Sequence, residues 1–272
     1  MRTQALATES NARAVGNVVE WPNGERFGTW RVVDRLGRGG TAEVWHARAR
    51  DGREAALKLA APALRTHPGA GALLRREHAL LHAVASPHLV EPYALLEHSG
   101  AVVLVLEYLP HGDLVPLLGS QPRHWLPAVR RVLAALLDLQ RHGLGHGDVK
   151  AANVLFARDG SARLTDLASA RPLDAQAAAA TAAHALPAGA RPLVRDADCF
   201  ALAVLVYQLL TRRLPYGREG AMDLAQLPAV TLADPAAEPL LAATEAALRA
   251  GGRVQGLSYF VDVIESVRTI SG

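Results

Sequence analysis

The spacing of apolar residues along this chain changes character partway through. From Phe27 the apolar positions come in short segments broken by turn residues, which predicts strands over 30–36, 44–49 and 54–60, the last two joined across Arg50-Asp51-Gly52. Leu73, Leu74, Leu80, Leu81 and Val84 recur near helical spacing and predict a helix over 71–84. Two further strands follow, 93–97 and 101–106, joined at Ser99-Gly100. The first hundred residues therefore predict the order β-β-β-α-β-β. In the second half Leu126, Val129, Leu133, Leu136 and Leu137 mark an amphipathic helix, 198–210 a more fully buried one, and 235–249 and 257–268 two more. The block 143–192 is rich in loop residues, and its alanine-rich stretch 175–183 is read as irregular loop. The expected class is α+β: a flexible leader over 1–26, then one domain over 27–272 with a small β-rich part, about 27–108, and a larger helical part, about 109–272.

Composition narrows what such a domain does. Half of the 272 residues are hydrophobic and a fifth are charged, which suits a packed globular chain. Lys and Arg number 29 against 26 Asp and Glu, with no block of like charge, so no nucleic-acid partner is expected. Cys199 is the single cysteine, which excludes an internal disulfide and suits a reducing, cytoplasmic compartment; its apolar neighbours predict a buried thiol. No apolar run approaches the roughly 20 residues of a membrane-spanning helix, so neither a membrane span nor a secretory segment is expected. Oligomeric state is not legible.

The candidate chemistry lies in three places. Leu36-Gly37-Arg38-Gly39-Gly40-Thr41-Ala42-Glu43-Val44 joins the first two strands, and its glycines would let backbone N–H groups approach phosphate oxygens, although a glycine-rich hairpin is more often only a tight turn. In Ala56-Leu57-Lys58 one lysine projects from an apolar strand, and a buried ammonium needs an anion, which Glu77 on the following helix can supply. Lys58 and Lys150 are the only two lysines among the 29 basic residues. If lysine and arginine were interchangeable, both would fall on motif positions by chance about once in four hundred placements. Lys150 belongs to the third place, His146-Gly147-Asp148-Val149-Lys150-Ala151-Ala152-Asn153, followed by Leu164-Thr165-Asp166-Leu167-Ala168. A loop aspartate can orient or deprotonate a hydroxyl, while an asparagine five residues on and a second aspartate can share a metal.

In this combination and order the chain resembles a protein kinase of the bacterial, eukaryotic-like Ser/Thr type from about residue 27 to its end. The resemblance implies a bilobal fold, ATP with Mg2+ (or Mn2+) as cofactors, and a protein substrate with a Ser or Thr acceptor. It implies that Leu36, Gly37, Gly39, Gly40, Val44, Ala56, Leu106, Glu107, Leu109 and Leu155 surround the nucleotide, with Glu107-Tyr108-Leu109 as the adenine-binding hinge and Leu106 guarding the pocket behind it. Lys58, paired with Glu77, would hold the α- and β-phosphates. Asp148 would be the catalytic base, Lys150 would steady the phosphoryl group, and Asn153 with Asp166 would bind the metal. Thr181 would contact Asp148 and Lys150, and Asp198 would anchor the catalytic-loop backbone. Departures stand at Gly147, where the family has arginine, at Ala42 and at Leu167-Ala168. Ala188 replaces a glutamate partner for Arg253, and Pro92 takes the place of a core leucine. Aminoglycoside or choline kinase-like phosphotransfer to small molecules, and a nucleotide-binding pseudokinase scaffold, are the competing readings.

Overall fold

The structure, a computed structural model, describes residues 13–15, 18–20, 24–64, 67–98, 100–177, 181–187, 192–220, 223–232, 234–253 and 256–266. The chain divides into two compact units, residues 1–82 with 91–108, and 83–90 with 109–272.

The first unit is built on strands. Arg13–Val15 (β1) and Val18–Glu20 (β2) pair antiparallel, within a segment whose polar composition predicts little structure. Arg26–Phe27 (β3), Trp30–Arg38 (β4), Ala42–Ala49 (β5) and Glu54–Ala60 (β6) follow, then the helix Pro68–Val84 (α1) and strands Pro92–His98 (β7) and Ala101–Glu107 (β8). They form one six-stranded antiparallel sheet in the order β3-β4-β5-β6-β8-β7. One face carries the core: Trp45, Ala47, Leu57, Leu59, Val103 and Val105, packed with Phe27 and Trp30. Burial of this face is the main stabilising contribution, since each large apolar side chain removed from water contributes about 1.5–3 kcal/mol. Pro92 is half-buried at the first residue of the edge strand β7, a position where its missing N–H breaks no central ladder, and the register shifts just beyond it. A leucine's place in the sheet core is thus not what this residue fills.

The second unit is mainly helical. Pro122–Arg141 (α2) starts with proline at its first turn and buries Trp125, Leu126, Val129, Leu133, Leu136 and Leu139, a 3.6-residue stripe. Val194–Thr211 (α3) buries residues all round, Cys199 among them, because α2 and Glu238–Arg249 (α4) both pack on it. Leu257–Ser266 (α5) packs on α2 and α4. Two short ladders interrupt the helices. Val154–Phe156 (β10) pairs with Ala162–Leu164 (β11), and Leu144–Gly145 (β9) with Arg171–Pro172 (β12). The described part of the alanine-rich stretch has a short 3-10 turn, Ala182–His184, and a single antiparallel bridge of Gln176 with Leu193. No helix among the described residues is long and apolar enough to cross a membrane.

Candidate active site

In the first unit, strand register gathers the candidate residues. Residues directly opposite in an antiparallel ladder point to the same face. Val44 pairs with Gly37 and with Lys58, Ala56 with His46 and Leu106, and Lys58 with Leu104. Gly37, Val44, Ala56, Lys58 and Leu106 therefore share one face of the sheet, the face opposite the apolar core. Lys58 is 7% exposed and Glu77, on α1, is 1% exposed. The ammonium donates to both carboxylate oxygens, at 2.8 and 2.7 Å. Two buried opposite charges in this geometry satisfy each other. In the glycine-rich hairpin Gly39 N–H donates to the Ala42 carbonyl at 2.8 Å, while a Cβ built at Gly37 or Gly40 would meet nothing within 4 Å. The backbone there is bare and leaves room for an anion, so these residues fit the phosphates of a nucleotide. Leu36 is half exposed beside them. The Glu107 N–H already donates to the Glu91 carbonyl at 2.8 Å.

One feature of this face is invisible in the sequence. His46 stacks on Tyr108, the middle residue of the candidate hinge, at 4.1 Å between ring centroids, and its Nε2 lies 3.1 Å from Glu54 Oε1. Strand alternation predicts which face His46 occupies but not what it meets there.

In the second unit the β10–β11 hairpin does the positioning. Asn153 directly precedes β10 and Thr165-Asp166 directly follow β11, so the ladder brings them side by side. The Asn153 carbonyl accepts the Thr165 N–H at 2.8 Å and the Thr165 hydroxyl at 3.1 Å. Asp166 itself adopts left-handed backbone, φ 68°, a conformation that aspartate tolerates better than most residues and that recurs at functional sites. Leu155, on β10, pairs with Arg163.

Asp148 is the hub. Lys150 Nζ donates to its Oδ2 at 2.6 Å and to Thr181 Oγ1 at 2.9 Å, while the Thr181 hydroxyl donates to Asp148 Oδ1 at 2.9 Å. Asn153 Nδ2 donates to the Asp148 carbonyl at 2.8 Å and to Oδ2 at 3.2 Å. Both Asn153 partners are acceptors, which assigns its NH2 to Asp148 and turns Oδ1 the other way, the oxygen a cation would take. Asn153 Oδ1 with the Asp166 carboxylate is a hard, oxygen-only pair suited to Mg2+, whose remaining positions go to water and phosphate. Burial pushes the Asp148 carboxyl up, but the hydrogen bonds from Lys150 and Thr181 and the lysine charge outweigh it and hold the group below the ordinary carboxylate value.

His146 and Asp198 fix the loop beneath this cluster. The Asp148 N–H donates to His146 Nδ1 at 3.2 Å and His146 Nε2 lies 2.9 Å from the Thr165 carbonyl, so the ring carries its proton on Nε2. Asp198, on α3, accepts the N–H groups of His146 and Gly147 at 2.6 and 2.7 Å. Burial raises its pKa, against the pull of His146 and of these two donors. Gly147 has φ +81°, and a Cβ there would sit 2.7 Å from the Ser169 carbonyl oxygen. A glycine is what this turn requires. The sequence reading also missed His184, buried, its Nε2 2.9 Å from Gln208 Oε1 and its Nδ1 without a hydrogen-bond partner. Ala188 lies outside the described residues, as does Ala180.

Residues 30–239 match the protein kinase domain family. Among curated relatives, the chain is 31% identical over 218 residues to CBL-interacting protein kinase 4 of Oryza sativa subsp. japonica, covering 74% of this chain and 48% of the relative. It is 30% identical over 229 residues to the serine/threonine-protein kinase PknD of Mycobacterium tuberculosis, covering 79% of this chain and 34% of the relative. To a probable serine/threonine-protein kinase of Streptomyces coelicolor it is 30% identical over 217 residues, covering 73% and 32%. The chain thus spans about a third to a half of the length of these relatives. With a family match over most of its length, the chain belongs to the protein kinase domain family.

Proposed function

We propose that the chain is an ATP-dependent phosphotransferase that moves the γ-phosphate to Ser or Thr hydroxyls of protein substrates. The observation that carries this reading is the closed triangle of Asp148, Lys150 and Thr181. An ionised carboxylate beside an ammonium is equipped to orient a hydroxyl and receive its proton while the positive charge faces an incoming phosphoryl group. Mg2+-ATP, when bound, supplies the transferable phosphoryl group and the charge that neutralises it. Asn153 Oδ1 and the Asp166 carboxylate would hold the metal, with Mn2+ as an alternative ion. Lys58, kept in place by Glu77, would hold the α- and β-phosphates. Gly37, Gly39 and Gly40 would offer backbone donors; in the first unit Val44, Ala56 and Leu106 would give adenine apolar contacts, with Leu36 and Glu107 beside them, and Leu109 and Leu155 would be the second unit's contributions to nucleotide binding. Thr181 would keep Asp148 and Lys150 in register until substrate arrives. The kinase domain would occupy 27–272, in a cytoplasmic setting. Incubating the purified chain with labelled ATP, Mg2+ and casein tests this, followed by identification of the labelled residue. Label on protein Ser or Thr is expected. Label only on a small amine or alcohol, or nucleotide binding without turnover, overturns it.

A further inference from the structure

Helix α1 places His78 and His82 one turn apart, with their Nε2 atoms 3.1 Å from each other and ring centroids 4.4 Å apart at 74°. His78 is half-buried and His82 is exposed. The short separation is one N–H···N hydrogen bond. It also fits chelation. Two imidazole nitrogens bound at about 2.0–2.1 Å to one ion, at octahedral or tetrahedral angles, stand roughly 2.9–3.4 Å apart. We propose that His78 and His82 form a bidentate site for a borderline divalent transition ion, Zn2+ or Cu2+, with water in the remaining positions. Imidazole nitrogen selects these ions over Mg2+, so the site is chemically distinct from Asn153 and Asp166. On binding, the ring that donated from Nε2 shifts that proton to Nδ1 through solvent, so both rings coordinate neutral and no net proton is released. No group of three or more His, Cys, Asp or Glu suited to a metal occurs among the described residues, which makes this a two-ligand site with solvent access. The ion would tie residues 78 and 82 of the helix that also carries Glu77.

The test uses the full chain without a polyhistidine tag, Zn2+ in calorimetry and Cu2+ in electron paramagnetic resonance, both in excess Mg2+. One ion per chain, with superhyperfine splitting from two nitrogens, is expected. His78→Ala and His82→Ala should each weaken binding by about tenfold or more, since each removes the chelate advantage. His111→Ala should leave binding unchanged. Thermal melts in EDTA establish that the variants fold, and His78→Gln serves if His78→Ala melts early. Wild-type Zn2+ affinity in the His78→Ala/His82→Ala double variant overturns the proposal. So does the absence of saturable binding up to about 1 mM, the weak end of specific affinity.

Discussion

Lys58 is both a candidate catalytic group and half of a buried ion pair, and the two roles separate in mutants. Lys58→Met removes the ammonium that pairs with the Glu77 carboxylate, 1% exposed. Removing one partner of a buried pair costs about 3–5 kcal/mol, so a lower unfolding midpoint is expected. Phosphotransfer should fall by about 10² to 10⁴. Lys58→Met/Glu77→Leu should recover most of the stability in urea titration and none of the activity; a double variant as unstable as the single would show that the pair is not what Lys58→Met breaks. Asp166→Ala should cost activity on the same scale. Asp148 sets the pH behaviour. A carboxyl with a lowered folded pKa contributes stability above its unfolded value and loses it as pH falls through the folded one. Asp148 therefore stays ionised across about pH 5–8. Lys150→Met removes the lysine hydrogen bond and charge and leaves burial opposed only by the Thr181 hydrogen bonds, so the 13C carboxyl titration of Asp148 should move to higher pH. An unmoved titration would mean that Lys150 does not govern this group.

At the level of elements, the candidate catalytic loop 146–153 is held by what lies under it rather than by a side chain at position 147. Gly147→Ala would force a side chain into left-handed backbone and against the Ser169 carbonyl, at a cost of at least about 1–2 kcal/mol, read as a lower melting temperature with retained ATP binding. For the same reason no arginine can reach from this position toward a phosphate on the segment 166–187. Its hydroxyls are Ser169 and Thr181, and Thr181 is already engaged by Asp148 and Lys150. Catalysis is therefore expected without phosphorylation of the segment. Phosphatase-treated protein, shown unmodified by mass spectrometry, should keep its rate, and a large fall that returns on rephosphorylation of Ser169 or Thr181 would reverse this conclusion. The elements themselves were legible where periodicity was long. Five of the six sheet strands, β4 to β8, and the helices α1 to α5 follow from apolar spacing, although α3 begins four residues before the expected 198, and Lys58 with Glu77 follows from the need of a buried ammonium for an anion. What stayed hidden is short or cooperative. The two-residue ladder of Gly145 with Arg171 and the β1–β2 hairpin are too brief to show a period. The His46–Tyr108 stack and the His184–Gln208 bond join residues far apart in sequence that no local pattern pairs.

Over the second unit as a whole, α3 links the core to the chemistry. Asp198 satisfies two N–H groups of the candidate catalytic loop, and Asp198→Ala would leave the buried His146 N–H and the partly buried Gly147 N–H unpaired, at about 1–3 kcal/mol for the buried one, lowering stability and activity together. Its neighbour Cys199 is 1% exposed, and burial, then Asp196 and Asp198, push its thiol pKa up to about 12. Native protein should resist alkylation by iodoacetamide and take up one equivalent on unfolding; rapid native labelling would contradict this burial. Since Asp198 and Cys199 are successive residues of α3, an opening of that turn wide enough to admit a reagent also releases His146 and Gly147. Thiol labelling under native conditions is therefore a clock for the catalytic loop: the interval between successive openings, read from one sulfur, bounds how long a single molecule keeps its reactive geometry.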